Sequence, residues 1–168
     1  MFKKVLVPLD GSEHSLKALE FAVQIAKKFG GKITLIHVYS VIDRPIIVPE
    51  PTTLTPAGFP VMTSAEISKV VEAARKAANR ILADGEQKAK AEEVEVEKIL
   101  IEGHTVQEIV RTAKEGTFDL IVIGARGISK IRELLLGSVT DGVIHHASCP
   151  VLVIKPVPQS QDSSQTQS

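Results

Sequence analysis

Two groups of small and polar residues interrupt an otherwise aliphatic chain of 168 residues. The first reads Gly124-Ala125-Arg126-Gly127 and is followed, nine residues on, by Gly137-Ser138-Val139-Thr140-Asp141. Glycine lacks a Cβ, so Gly124 and Gly127 can take positive φ and let an anion come close to main-chain N–H groups. Ser138 is placed to N-cap a helix whose apolar face is Val139, Val143, Ile144 and Ala147. The first-turn amides of that helix, the Ser138 and Thr140 hydroxyls and the positive end of the dipole would then face a phosphate. Arg126 adds a cation to the same loop. The spacing fits equally a tight turn that only packs helix against strand, and glycine spacing alone leaves both readings open.

The second group, Asp10-Gly11-Ser12, closes the first apolar run. A carboxylate repels phosphate, but it accepts hydrogen bonds from ribose hydroxyls, as an acidic residue does in dinucleotide folds. Asp10 could also simply cap the helix behind it. The combination favours the sugar: if the strands before Asp10 and Gly124 are neighbours, the carboxylate faces the glycine loop across one crevice. No G-x-x-x-x-G-K-[ST] is present, which excludes a P-loop, and Asp10-Gly11-Ser12-Glu13-His14 is not G-x-G-x-x-G.

The remaining reactive side chains point elsewhere. His14, His37, His104, His145 and His146 show no metal-ligand spacing. His145 and His146 end a helix, where a cation suits the dipole. His14 reads as a solvated surface residue and His37 as a satisfied core histidine. Cys149, before Pro150, reads as a small buried hydrophobe rather than a nucleophile.

Periodicity supplies the elements that carry these groups. Val5–Leu9 is a short apolar strand, and from an N-cap at Ser12 the residues Leu16, Leu19, Ala22, Val23 and Ala26 share one helical face up to Gly30-Gly31. Residues 33–39 form a second, almost wholly apolar strand, as in a buried parallel sheet. Asp43 to Met62 holds five prolines and little period, and reads as an irregular insertion, a lid or contact loop or a tolerated surface loop. Thr63-x-x-Glu66 and Thr105-x-x-Glu108 have capping-box form, each opening a helix. The first of these helices has Ile67, Val70, Val71, Ala74, Ala77, Ala78 and Ile81 as its buried stripe, and Gly85 weakens its later turns without ending it. Strands follow at 94–101, 118–123 and 151–154, with a helix at 138–147. Five strands alternating with four helices predict an α/β fold, an open doubly wound parallel sheet with helices on both faces. The Ser/Gln-rich tail, residues 157–168, is expected to be disordered, leaving 1–156 as one domain with an insertion at 43–63.

Composition narrows the function. Aromatic residues are 4% of the chain, with no Trp, too few rings for a base-stacking nucleic-acid platform. Twenty Lys and Arg balance twenty Asp and Glu, so no overall basic field draws a polyanion, and no nucleic-acid partner is expected. One cysteine fits a reducing compartment. With no signal-peptide h-region and no apolar run near the ~18 residues of a membrane span, the sequence points to the cytoplasm and away from membranes.

The spacing Gly124-x2-Gly127-x9-Gly137-Ser138, together with Val5-Leu6-Val7-Pro8-Leu9-Asp10-Gly11-Ser12 and Cys149-Pro150-Val151-Leu152-Val153, resembles the universal stress protein (UspA-type) family over residues 2 to 156. The resemblance implies a sheet in the order 3-2-1-4-5, a homodimer paired through the last strand (Val151 to Lys155), and the ATP-binding branch of the family. It places Pro8, Leu9 and Asp10 against adenosine, with Asp10 on the ribose, and Val38 in the adenine pocket. It places Gly124, Arg126, Gly127, Gly137, Ser138, Val139 and Thr140 on the phosphates. The implied role is an ATP-binding stress-response regulator whose nucleotide modulates stability or partner binding. Hydrolysis needs a positioned base or a metal-activated water, and no residue here is committed to either; Mg2+ would arrive with the triphosphate rather than on protein side chains. A dimeric interaction module without nucleotide, or a slow ATPase or autophosphorylating protein using Ser138 or Thr140, are the alternatives.

Overall fold

Alternation along the central strands decides which face of the sheet each side chain serves. In a computed structural model, which describes residues 1–40, 64–127 and 136–155 and the backbone of 53–54 and 60–61, Val5 and Val7 of β1 (Lys4–Pro8), and Leu9 just beyond it, point to one face and Leu6 to the other. The same division runs through β2 (Lys32–Tyr39), with Ile33 and Leu35 on the first face and Ile36 on the second, and through β6 (Leu120–Gly124), with Leu120 and Val122 opposing Ile121 and Ile123. Helices α1 (Glu13–Phe29) and α2 (Ser64–Ala91) cover the first face; α3 (Thr105–Glu115) and α4 (Ser138–His146) cover the second. The edges are β5 (Val96–Glu102) and β7 (Val151–Ile154), giving a parallel sheet in the order β5-β2-β1-β6-β7. Counting only these five strands, that is the expected order 3-2-1-4-5. A two-stranded antiparallel pair, β3 (Thr53–Leu54) and β4 (Pro60–Val61), lies within the segment expected to be irregular. The rest of that insertion, Thr63 of the first capping box, and the tail from 156 onward lie outside the described residues.

The sequence placed the helices correctly but misassigned several of their buried faces and caps. Ala78, Leu82, Gly85 and Ala89 are the buried residues of α2, whereas Ile67 is 45% exposed and Ala77 is exposed. The helix has 28 residues, ~42 Å at 1.5 Å per residue, against strands of at most 8 residues, ~26 Å, so its first half overruns the sheet. Gly85 lies where α2 comes closest to the sheet: a Cβ there would stand 2.5 Å from Leu9 Cδ1 and 3.1 Å from Leu35 Cδ1. Close approach outweighs helix propensity at this position. In α4, Ile144 is 40% exposed while Thr140 and Val143 are buried. The cap of α1 is as expected, with Ser12 accepting from Ser15 N and Gly30 closing the helix at φ 61°. The cap of α3 is His104, not Thr105, and it makes no side-chain capping bond. Glu108 pairs with Arg111 instead of reaching back.

One clamp sets the registry of the two central strands at the end opposite the glycine loop. Asp119 Oδ2 accepts from Lys4 N at 2.9 Å and Lys3 N at 2.8 Å, and Asp119 N donates to Lys4 O at 2.9 Å. These bonds precede the pairs Val5–Leu120 and Leu6–Ile121, so both strands leave the sheet at a matched height. The two amides, Lys4 first and Lys3 second, hold the Asp119 carboxyl below the usual carboxylate range. A depressed carboxyl stabilises the fold above its unfolded value, about 3.9, and loses that contribution as pH falls through its folded value. Asp119→Asn is therefore expected to be less stable than wild type at pH 7, with the difference shrinking at pH 3 in urea unfolding; a constant difference at both pH values would count against the clamp.

Candidate functional site

From β1 the chain winds outward through β2 to β5, then returns to lay β6 on the other side of β1. Ligand crevices in open α/β sheets form at such a reversal, beyond the carboxyl ends of the strands. Here the cavity is lined by Pro8, Leu9 and Asp10 at the end of β1, by Ile36 and Val38 of β2, and by Gly124, Arg126 and Gly127 at the end of β6. Gly137, Ser138, Val139 and Thr140 close it from the start of α4. All eleven residues singled out in the sequence meet around this one cavity. Ser15, Ile36, Thr105, Ile109 and Ile123 also line it and were not singled out. Their signal was structural only: each had already been read as a strand, helix or capping residue.

The loop is drawn together by its main chain. Gly137 N donates to Ala125 O at 2.9 Å, so the start of α4 is tied to the exit of β6, and Ala125 N donates to Ile154 O at 2.8 Å. Positive φ is not what these glycines supply, since neither Gly124 nor Gly127 adopts it; Gly11, at φ 81°, does. Their lack of a Cβ serves two separate contacts. At Gly124 a Cβ would stand 2.6 Å from the His14 carbonyl carbon and 2.7 Å from its oxygen, so α1 rests directly on β6 there. At Gly127 it would stand 2.5 Å from Asp10 Oδ2, so the loop comes directly against the carboxylate.

The polar groups divide into committed and open. Asp10 Oδ1 accepts from Ser12 N at 2.9 Å, the local role weighed in the sequence, while Oδ2 faces Gly127. Ser15 Oγ donates to Ser12 O at 3.0 Å. Thr140 is buried and its hydroxyl donates to Gly124 O at 2.8 Å, so it ties α4 to the strand end. Ser138 is not the N-cap: Gly137 is, its carbonyl accepting from Asp141 N at 2.9 Å, and among the described residues no side chain caps the helix. Ser138 is exposed in the first turn. The first turn of α4 thus borders the cavity with no side-chain acceptor for its amides among the described residues, in contrast to α1.

At the β2 side, buried His37 donates from Nδ1 to Leu9 O at 2.6 Å; a carbonyl only accepts, so Nδ1 carries the hydrogen. This is the satisfied core histidine the sequence suggested. Leu9 N donates to Ile36 O at 2.9 Å, whereas Gly103 N donates to Tyr39 O at 3.0 Å. A parallel ladder turns alternate residues to alternate neighbours, so Val38, like Ile36, directs its N–H and C=O to the β1 side. The strand itself has ended at Pro8.

His14 differs from expectation. It is half-buried, and its Nδ1 is buried without a hydrogen-bond partner, because α1 lies tight on β6. Cys149 is half-buried, and burial, reinforced by the Asp119 carboxylate, pushes its thiol up and away from nucleophilic character. No cluster of three or more His, Cys, Asp or Glu able to hold a metal ion occurs among the described residues, nor is any described helix long and apolar enough to cross a membrane.

Comparison with known proteins matches this architecture. The model of the universal stress protein family matches residues 1–155. Universal stress protein YxiE of Bacillus subtilis is 36% identical over 155 residues, covering 92% of this chain and 100% of that protein. Among solved structures, the universal stress protein UspA from Lactobacillus plantarum superposes with a TM-score of 0.74 at 26% identity, over 92% of this chain and 98% of the other. A universal stress protein in complex with cAMP superposes at 0.62 with 29% identity, over 92% and 98%.

The two glycines should respond differently to a methyl group. Gly124→Ala pushes against main chain, so a loss of about 1–3 kcal/mol is expected, whereas Gly127→Ala meets only a carboxylate tip and should change stability by no more than about 0.5 kcal/mol. Denaturant unfolding of both variants checks this, and equal losses would refute the division of roles.

Proposed function

Because the chain belongs to the universal stress protein family, we propose that it is a stress-response regulatory protein that holds ATP between the carboxyl ends of β1 and β6, the nucleotide modulating its stability or its partner binding. The observation that carries this is the α4 N-terminus: its first-turn residues line the same cavity as a held carboxylate and an apolar wall, and among the described residues no side chain caps it. Backbone donors and the helix dipole favour phosphate there, with Arg126 and Ser138 adding charge and a hydroxyl at the mouth. Thr140 supports the phosphate loop from behind rather than by its own hydroxyl proton, which Gly124 O already takes. Asp10 Oδ2 is the sugar acceptor, its partner oxygen being fixed by Ser12 N. Pro8, Leu9, Ile36, Val38, Ile109 and Ile123 give the base an apolar slot, and the Val38 N–H and C=O offer the donor–acceptor pair that an adenine edge complements. The relative solved with cAMP supports an adenine nucleotide as the ligand class. Mg2+ enters with the triphosphate, and the protein works in the cytoplasm.

The same reading makes the chain a homodimer through β7. Among the described residues that strand has a neighbour on one side only, and Val151, Leu152 and Val153 are half-buried in the single chain. Edge strands of this kind pair readily with a second copy.

A ligand bound only by the folded state stabilises it by ~2.7 kcal/mol at a hundredfold excess over Kd. ATP should therefore raise the melting temperature of the wild type, and the rise should vanish in Asp10→Ala and Gly127→Val while both remain folded. A flat titration on well-folded wild type would end the site assignment. Native mass spectrometry should show two chains per particle, and a monomer mass would end the β7 pairing.

A further inference from the structure

Thr105 is the residue whose expected role the fold leaves vacant. Its capping-box position predicted an N-cap, yet His104 occupies that position and Thr105 is the first residue of α3. Thr105 and Ile109 stand one helical turn apart and both line the cavity, so this face of α3 is turned to it. Ile109 is 1% exposed and belongs to the core, while Thr105 is half-buried at the wall. The turn before α3 is held beside the end of β2, with Gly103 N on Tyr39 O at 3.0 Å and Ile101 paired with Val38. Thr105 therefore belongs to the Val38 side of the cavity, across from the glycine loop.

The hydrogen bonding of the wall isolates this hydroxyl. Ser15 and Thr140 both donate to main-chain carbonyls, and one Asp10 oxygen is taken by Ser12 N. Arg126 and Ser138 lie at the glycine-loop side. Thr105 takes no part in any side-chain hydrogen bond among the described residues. The cavity residues from β2, α3 and the body of β6, Ile36, Val38, Ile109 and Ile123, can neither donate nor accept through their side chains.

Resting on the nucleotide reading of this cavity, we propose that Thr105 is a specificity-determining residue for the base, its Oγ1 accepting a hydrogen from the exocyclic amine of an adenine seated against Val38. The two hydrogens of that amine need two acceptors once water is excluded. The Val38 carbonyl, directed to the β1 side by the ladder, takes one. The Thr105 hydroxyl takes the other, and an otherwise equal purine lacking the amine leaves both acceptors unpaired.

The test compares Thr105→Val and Thr105→Ser with wild type by calorimetric titration of ATP and of purine riboside triphosphate, which keeps the ring and lacks the amine. Valine preserves the branched shape and deletes the hydroxyl. One net hydrogen bond corresponds to a loss of about threefold to tenfold in ATP affinity for Thr105→Val, with purine riboside triphosphate unchanged and ATP binding kept by Thr105→Ser. Unchanged ATP affinity in Thr105→Val, or an equal loss on both ligands, would overturn the assignment while leaving the cavity a nucleotide site. Wild type that binds neither nucleotide would overturn the cavity reading itself and this one with it.

Discussion

The parallel pairing of β1 with β6 is the constraint from which the site follows. These strands are separated by more than 100 residues of chain, and they meet because the winding reverses between them. Both carry continuous apolar sequences that only a sheet covered on two faces can bury. The Asp119 carboxylate fixes their relative height through two main-chain amides, and that height delivers Asp10 and Gly127 to the same level at the far end. A slip along the sheet would separate the carboxylate from the loop without unfolding either helix layer.

Close approach is the second theme. Among the glycines where a methyl group would collide, three bear on the site: Gly85 against Leu9 and Leu35, Gly124 against the His14 main chain, Gly127 against Asp10. The first two draw α2 and α1 onto the sheet, and their positions set the wall that carries Leu9 and the loop exit. The third shapes the cavity directly. Of the alternatives weighed from spacing, the tight packed turn is what Gly124 makes against α1, while Gly127 brings the loop against Asp10.

Polar side chains near the cavity are mostly spent on the scaffold. Ser12 caps α1, Ser15 holds Ser12 O, Thr140 holds Gly124 O, and His37 holds Leu9 O. Each bond immobilises a main-chain segment that in turn borders the cavity. Besides Ser15 and Thr140, the polar residues that line the cavity are then a small set: Asp10, Arg126, Ser138 and Thr105. Asp10 divides its two oxygens, Oδ1 holding Ser12 N while Oδ2 is turned to Gly127 at the cavity.

The sequence by itself determined the fold class, the order of the five sheet strands and four helices along the chain, and the Ser12 and Gly30 caps, because apolar period and cap chemistry are local properties. Asp10 and the glycine-loop residues were legible from residue type and spacing, whereas Pro8, Leu9 and Val38 came from the family resemblance. Tertiary structure alone decided which atoms of those residues stay open. Gly137 rather than Ser138 caps α4, and His104 rather than Thr105 caps α3, because capping depends on where the incoming chain is held by neighbours such as Ala125 O and Tyr39 O. His14 is buried at Nδ1 and the first half of α2 overruns the sheet because both depend on how closely and how far separate elements overlap. Overlap is a property of pairs of elements distant in the chain, and no single stretch of residues records it.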